Sequence, residues 1–366
     1  MGTSGYNTYP AQGNIKIFAH DTTSIPFRGR NKRCKQAFRE LEKLKRPKLR
    51  IVPQQTIGEK NVLVTNKDLM VPARKNGYAI PALNVQNLES LKAVAEAAVE
   101  EKSPVILAIS PSVVKYAGMP YIIALAKTAT QQSPVPMSIH LDHGEDYDTC
   151  VKCVEAGFTS VMIDGSFLNY EENIAVTKKV VAIAHPRGIS VEAELGKLAG
   201  VEERSVAEKE AILTDPDTAR DFVEKTGVDA LAVAIGTSHG AYKFKSESKL
   251  DIERLRKISQ RVTIPLVLHG ASSVPQALIE KATKYGAELT NAKGIPETEI
   301  KKAIALGIAK VNVDTDLRLA LTGAVREVLA TQPKEFDPRK ILGPAKEAMK
   351  QIAKSKMQLL GSSGKA

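Results

Sequence analysis

His140, Asp142 and His143 fall within four residues of the stretch IHLDHGEDYDTC, 139–150, in a 366-residue chain with only six histidines. Two imidazoles around a carboxylate suit three arrangements: a buried structural cluster, a metal site or an acid–base site. His143, His239 and His269 each end an apolar run. Three imidazoles converging on one cavity bind Zn2+ and leave a fourth position open, which separates a catalytic zinc from a structural one. Any one of them alone reads as a satisfied core or loop residue; three at neighbouring strand ends, beside carboxylates, read as a site. His140 lies inside its run, where packing or a supporting hydrogen bond fits better than ligation. His185 ends a surface helix before Pro186, and His20 lies in the N-terminal segment.

The elements that must position these groups follow from the texture of the chain. From about residue 62, short apolar runs alternate with longer helical patterns. The runs are 78–85, 104–110, 135–143, 160–166, 189–196, 230–239, 264–270 and 309–316. Helical segments include 88–102, 146–156, 171–185, 216–226 and 251–260, several preceded by Asp or Ser as N-caps should be. Eight strand–helix repeats over roughly 250 residues predict an α/β fold, a (β/α)8 TIM-type barrel. An open doubly wound sheet is the alternative, but the first strand–helix turn lacks G-x-G-x-x-G. Residues 317–360 add amphipathic helix that caps the barrel or faces a second subunit.

Active sites of such barrels lie at the C-terminal strand ends. All eight runs end in groups that ligate, titrate or hydrogen-bond: Asn84, Ser110, Asp142 with His143, Asp164, Glu192 and Glu194, His239, His269, and Asn312 with Asp314. Gly240 and Gly270 flank two of the histidines and let backbone approach a ligand. With Lys243, Ser272, Thr315 and Arg318 they read as a phosphate cradle, although ordinary glycine turns explain each loop singly. The segment 196–216, with Glu202 and Glu203, is long for such a loop and reads either as a lid or as a solvated loop.

Composition sets the limits. No window of about 18 apolar residues reads as a membrane span, and no apolar N-terminal segment reads as a secretory signal. Three cysteines build no disulfide framework and point to a reducing compartment. Cys150 and Cys153 spell C-x-x-C, but without a second such pair they read as two free thiols on a helix. The net charge is +11 (52 basic against 41 acidic), yet residues 1–60 hold 13 Lys/Arg and 4 Asp/Glu, which is +9, leaving +2 for the rest. The basic character belongs to an arm, residues 1–62, so it is no argument for nucleic-acid binding by the domain at 63–366. Phe38, Leu41 and Leu44 space a short helix ended before Pro47. The arm reads as a solvated tail, a targeting presequence or a dock for an acidic partner. Cytoplasmic placement and import into a plastid stroma both fit, and the myristoylation pattern fails at Tyr6.

Six ordered blocks, HLDHG, GFTSVMIDGS, SVEAELG, AIGTSHGAYKFK, PLVLHGAS and KVNVDTDLR, resemble those of zinc-dependent (class II) fructose-1,6-bisphosphate aldolases, in particular the shorter subgroup that includes tagatose-bisphosphate aldolases. The resemblance spans about residues 63–360 and leaves the arm unexplained. It implies a lyase that cleaves fructose 1,6-bisphosphate reversibly to dihydroxyacetone phosphate and glyceraldehyde 3-phosphate, in glycolysis or its reverse, with Zn2+ stabilising the enediolate. His143, His239 and His269 would ligate the zinc. Asp142 would act on the C4 hydroxyl, and Glu202 would shuttle the proton beside the ketone. Asp164 and Glu194 match positions for a second divalent ion or for ligand orientation. Asn84 and Asn312 would contact substrate. Gly240, Lys243, Gly270, Ser272, Asp314 and Thr315 would hold one phosphate, with a monovalent cation (Na+ or K+) nearby. Ser110, Arg318 and Arg339 would hold the other, Arg339 from a neighbouring subunit of a homodimer or homotetramer. A Schiff-base aldolase would need a lysine inside a strand; none is expected there, and Lys310 is expected at the wrong end of strand eight. Tagatose 1,6-bisphosphate as substrate, and a scaffold docked through its basic arm, remain the rival readings.

Overall fold

A computed structural model describes residues 62–197, 199–200, 212–239, 249–289 and 293–366, without the side chains of 199, 200, 238 and 239. Eight parallel strands close into a barrel in sequential order: β1 Ile80–Asn84, β2 Val105–Ile109, β3 Met137–Gly144, β4 Ser160–Ile163, β5 Ser190–Leu195, β6 Ala230–Val233, β7 Leu266–Leu268 and β8 Ile308–Val313. The expected (β/α)8 architecture is the one found.

Helices α1 Asn66–Asn76, α2 Leu88–Glu101, α3 Pro111–Ala117, α4 Met119–Gln131, α5 Tyr147–Ala156, α6 Tyr170–Ala184, α7 Pro216–Thr226, α8 Ile252–Arg261, α9 Gln276–Lys284, α10 Glu297–Ala305, α11 Thr315–Thr331 and α12 Pro338–Leu359 surround it. Their starts are fixed locally. Asp146, Asp215 and Asp251 each accept a hydrogen bond from a first-turn amide, as do Thr65, Asn87 and Asn169 in reciprocal capping boxes. Left-handed glycines at 77, 157 and 227 end three of them.

Residues alternate between the two faces of each strand. Leu83, Leu107, Ile139, Val161, Val191 and Val311 point outward into one large core beneath the helices. Ile80, Ala82, Ile106, Ala108, Ala230, Ala232 and Val267 point inward. There they meet Leu69, Met70 and Ala73 of α1, which plugs the N-terminal end of the barrel. Burying Leu69 and Met70 contributes roughly 1.5–3 kcal/mol each. The sequence pattern did not single out α1. Cys150 and Cys153 are free and lie on the buried face of α5, and burial pushes the Cys153 thiol up to about 12. No helix among the described residues is long and apolar enough to cross a membrane.

The run 230–239 is not one strand. It stops at Val233, turns at Gly236 with φ 103°, and resumes as Ser238–His239 paired with Ala199–Gly200. The C-terminal helices cover the barrel rather than extend it: α12 lies against α2, its Lys346, Lys350 and Lys354 pairing with Glu96 and Glu100.

The β3–β4 pairing shifts register between Leu141 and Gly144, and His143 sits there with φ 53°. This is a bulge, an extra residue that re-aims the side chains around it. Gly144 has no room for a Cβ, which would strike the Met162 carbonyl and the Leu141 side chain. Gly144→Ala should therefore destabilise the fold by about 1–3 kcal/mol. Thermal melting checks this; a variant that melts with the parent would show the bulge to be loosely packed.

Candidate active site

The bulge settles how one strand delivers two adjacent residues to one place. In regular β3, Asp142 and His143 would face opposite sides of the sheet. Instead Asp142 is 3% exposed with its carboxylate in the barrel mouth, and His143 turns toward β4 and β5, its Nδ1 3.2 Å from Asp164 Oδ2 and 3.8 Å from Glu194 Oε2. The His143 and His269 rings lie 4.5 Å apart, edge to face.

Asp142 is held from both sides. Asn84 at the end of β1 donates to one oxygen at 2.8 Å, and Asn312 on β8 donates to the other at 2.8 Å. Burial opposes its charge, but His143, Lys310 and His269 hold its carboxyl well below the usual carboxylate range. The orientation is fixed as well as the charge, because each amide already points its N–H at the carboxylate. The Asn312 side-chain oxygen is buried and accepts no hydrogen bond from the described residues.

Below the mouth runs a polar column. Glu192 on β5 accepts two hydrogen bonds from Lys310 Nζ, at 2.8 and 2.9 Å, and one from His269 Nε2 at 3.0 Å. His269 Nδ1 lies 3.1 Å from Glu194 Oε2. Lys310 Nζ also donates to His140 Nε2 at 3.1 Å, so the His140 proton sits on Nδ1 and is donated to Ser160 Oγ at 3.0 Å. Burial, reinforced by Lys310, brings His140 down to about 3 and keeps it neutral. His143 behaves oppositely: burial would lower it, but Asp142, Asp164 and Glu194 push it up to about 10. His269 is raised too, since Glu192 and Glu194 outweigh burial and the His143 charge.

These contacts correct one expectation. Lys310 is not at the wrong end outside a strand core: it is the third residue of β8 and fully buried. Its phase was legible, for Lys310, Asn312 and Asp314 recur with period two on one face. It still suits no Schiff base, because an ammonium held twice by a carboxylate offers no free lone pair. Glu192 and Lys310 are the site-supporting residues that the sequence reading left without a role.

The remaining expected residues divide. Asp164, Glu194, His143, His269, Asp142, Asn84 and Asn312 are joined by the contacts above. Asp164 is further fixed by the Ser166 amide and hydroxyl. Asp314 accepts from Gln86 at 3.1 Å and pairs with Arg318. Gly270 has φ 59°, Ser272 and Thr315 are buried, and Ser110 stands at the N-cap position of α3 without a side-chain cap bond, its hydroxyl 2.9 Å from that of Ser112. Arg339, in the first turn of α12, is exposed and pairs with Asp337 of its own chain. Glu202, Gly240, Lys243 and the His239 side chain lie outside the described residues.

The donor set fits a divalent ion. Ligand atoms of Asp142, His143 and His269 lie within 4.8 Å of one another, as do those of His143, Asp164 and Glu194. Among the described residues, four carboxyl groups, Asp142, Asp164, Glu192 and Glu194, share the mouth and column with the Lys310 ammonium. The field that holds a proton on His143 is one that attracts a metal ion.

Residues 64–365 match the family model described as fructose-bisphosphate aldolase class-II. The chain is 54% identical over 309 residues to a fructose-bisphosphate aldolase of Thermus caldophilus, covering 83% of this chain and all of that one. It is 47% identical to a fructose-bisphosphate aldolase of Giardia intestinalis, covering 83% and 94%. Among solved structures it is similar to the YdjI aldolase of Escherichia coli K12, with TM-score 0.69, 36% identity and coverage of 83% and 99%.

Proposed function

The chain belongs to the class-II fructose-bisphosphate aldolase family, and we propose that its barrel mouth catalyses the reversible cleavage of fructose 1,6-bisphosphate into dihydroxyacetone phosphate and glyceraldehyde 3-phosphate. The observation that carries this reading is the Asp142 carboxylate, clamped by Asn84 and Asn312 beside two facing imidazoles.

His143, His239 and His269 would hold the catalytic zinc. When bound, zinc supplies Lewis-acid charge for the ketone oxygen. Asp142 takes the proton of the C4 hydroxyl as the C3–C4 bond breaks, and the bond's electrons pass to C3 and into the adjacent ketone. Glu202 then returns a proton to C3. The two amides deny Asp142 any other orientation, so its basicity is spent on substrate. The open Asn312 oxygen awaits a substrate donor, since a buried acceptor left unpaired costs about 1–3 kcal/mol. Asp164 and Glu194 would orient His143 and His269 or hold a second divalent ion. Gly270, Ser272, Asp314 and Thr315, with Gly240 and Lys243, would cradle one phosphate beside a monovalent cation. Ser110 and Arg318 would meet the other phosphate, with Arg339 from a partner subunit.

Chelation with EDTA should abolish cleavage and zinc should restore it, while Asp142→Ala should lose roughly 10²–10⁴ of turnover with zinc content unchanged. EDTA-resistant cleavage, or a fully active Asp142→Ala enzyme, would overturn the assignment. Tagatose 1,6-bisphosphate should be the poorer substrate in the same assay.

We also infer a homo-oligomer, supported by the exposed aromatic residues Tyr116, Tyr121 and Phe336, and a cytoplasmic enzyme whose basic arm docks an acidic partner. Deleting residues 1–60 should leave kcat/KM and the number of subunits per oligomer unchanged while weakening retention by anionic surfaces. A fall to monomer mass or lost cleavage would place the arm in the catalytic unit. Absence of the arm from the natural protein's N-terminus would point to plastid import instead.

A further inference from the structure

The loop after β7 carries His269, Gly270 and Ser272, and it is held in a conformation its residues do not favour. Val274, at its end, has φ 48°. A β-branched side chain in the left-handed region is strained, so the surroundings must impose that geometry.

The restraint comes from the two C-terminal helices. Asp316, in the first turn of α11 and fully buried, accepts from the Val274 amide at 2.9 Å through one oxygen and from the Ser273 amide at 3.2 Å through the other. Lys356, in the last turn of α12 and 2% exposed, pairs with Asp316 at 2.8 Å and also donates to the Ser273 hydroxyl. The opposite flank is closed as well. Ile295 donates to the Ser272 carbonyl at 3.1 Å, and a Cβ on Gly294 would collide with the Ser272 and Ser273 backbone. A lysine and an aspartate this deeply buried are retained only with excellent pairing. Here the pairing ends on two consecutive loop amides, immediately after Ser272.

We propose that Lys356 is a positioning residue for the phosphate-binding end of the site, acting through Asp316 to set the strand-seven loop. The inference rests on the reading of Gly270 and Ser272 as phosphate contacts. The Lys356 ammonium holds the buried Asp316 carboxylate in place, the carboxylate draws the Ser273 and Val274 amides inward, and the turn so formed fixes where Gly270 and Ser272 stand. The C-terminal helix thereby takes part in substrate recognition without touching substrate.

The test compares zinc-loaded full-length Lys356→Met, Lys356→Arg and Ser272→Ala. Lys356→Met should raise KM for fructose 1,6-bisphosphate by roughly tenfold to a hundredfold with a smaller change in kcat and unaltered zinc content. Its Ser273 and Val274 amides should exchange hydrogen faster, and Lys356→Arg should recover most of the loss. If Lys356→Met does not fold, the charge-neutral pair K356M/D316N replaces it, with the same expectation. A raised KM in Ser272→Ala beside an unchanged KM in a folded Lys356 variant would overturn the positioning role alone. An unchanged KM in Ser272→Ala would remove the phosphate assignment, and the proposal with it.

Discussion

The ion pair between Lys310 and Glu192, sealed inside the barrel, is the interaction on which the site depends. An ammonium and a carboxylate removed from water are costly to bury, and removing one partner leaves the other stranded. The barrel accommodates them because small residues, Ala82, Ala108, Ala230 and Ala232 with Ser138 and Ser160 on β3 and β4, share its interior with Ile80, Ile106 and Val267. The small positions leave room for a long lysine side chain to cross from β8 to β5. Having crossed, it makes Glu192 a firm acceptor, and one of the two oxygens it holds, Oε1, also faces His269 Nε2. It also fixes which nitrogen of His140 carries the proton.

Everything above this pair inherits its order. Glu192 holds one nitrogen of His269 and Glu194 the other, so the ring cannot turn. His269 meets His143 edge to face, and His143 is tethered to Asp164. Asp142 is pinned separately by two amides from strands on either side of the chain's closure point, β1 and β8. The result is a carboxylate and two imidazoles held in fixed places before any substrate arrives, the preorganisation that acid–base chemistry requires. The concentration of carboxyl groups around few cations makes the same place receptive to a metal ion.

Much of this was legible in the sequence. The eightfold alternation of apolar runs with helical segments dictates the barrel, and the polar group closing every run marks its catalytic end. Asp142, Asp164, Glu194, His269 and Asn312 all stand where that reading puts them. Other features were hidden for physical reasons. Strict alternation would send His143 outward, and only the bulge, which depends on Gly144 packing against β4, turns it in. Lys310 looked misplaced because its Cα lies low in the strand; the length of its side chain carries the charge upward. The α1 plug lacks a strong pattern, because a helix sealing a barrel end buries only three apolar residues, Leu69, Met70 and Ala73, beside the polar Asn66. The Asp316–Lys356 clamp joins residues 40 positions apart in sequence and has no local signature.

The central claim is that the buried pair positions His269 for metal, rather than merely stabilising the barrel. Replacing both charges together, as K310M/E192Q, avoids a stranded ion and should leave a folded enzyme. Its zinc affinity, measured by competition with a chromogenic chelator, is predicted to fall roughly tenfold to a hundredfold because His269 loses its anionic support. Unchanged zinc affinity in the folded double variant would contradict the account.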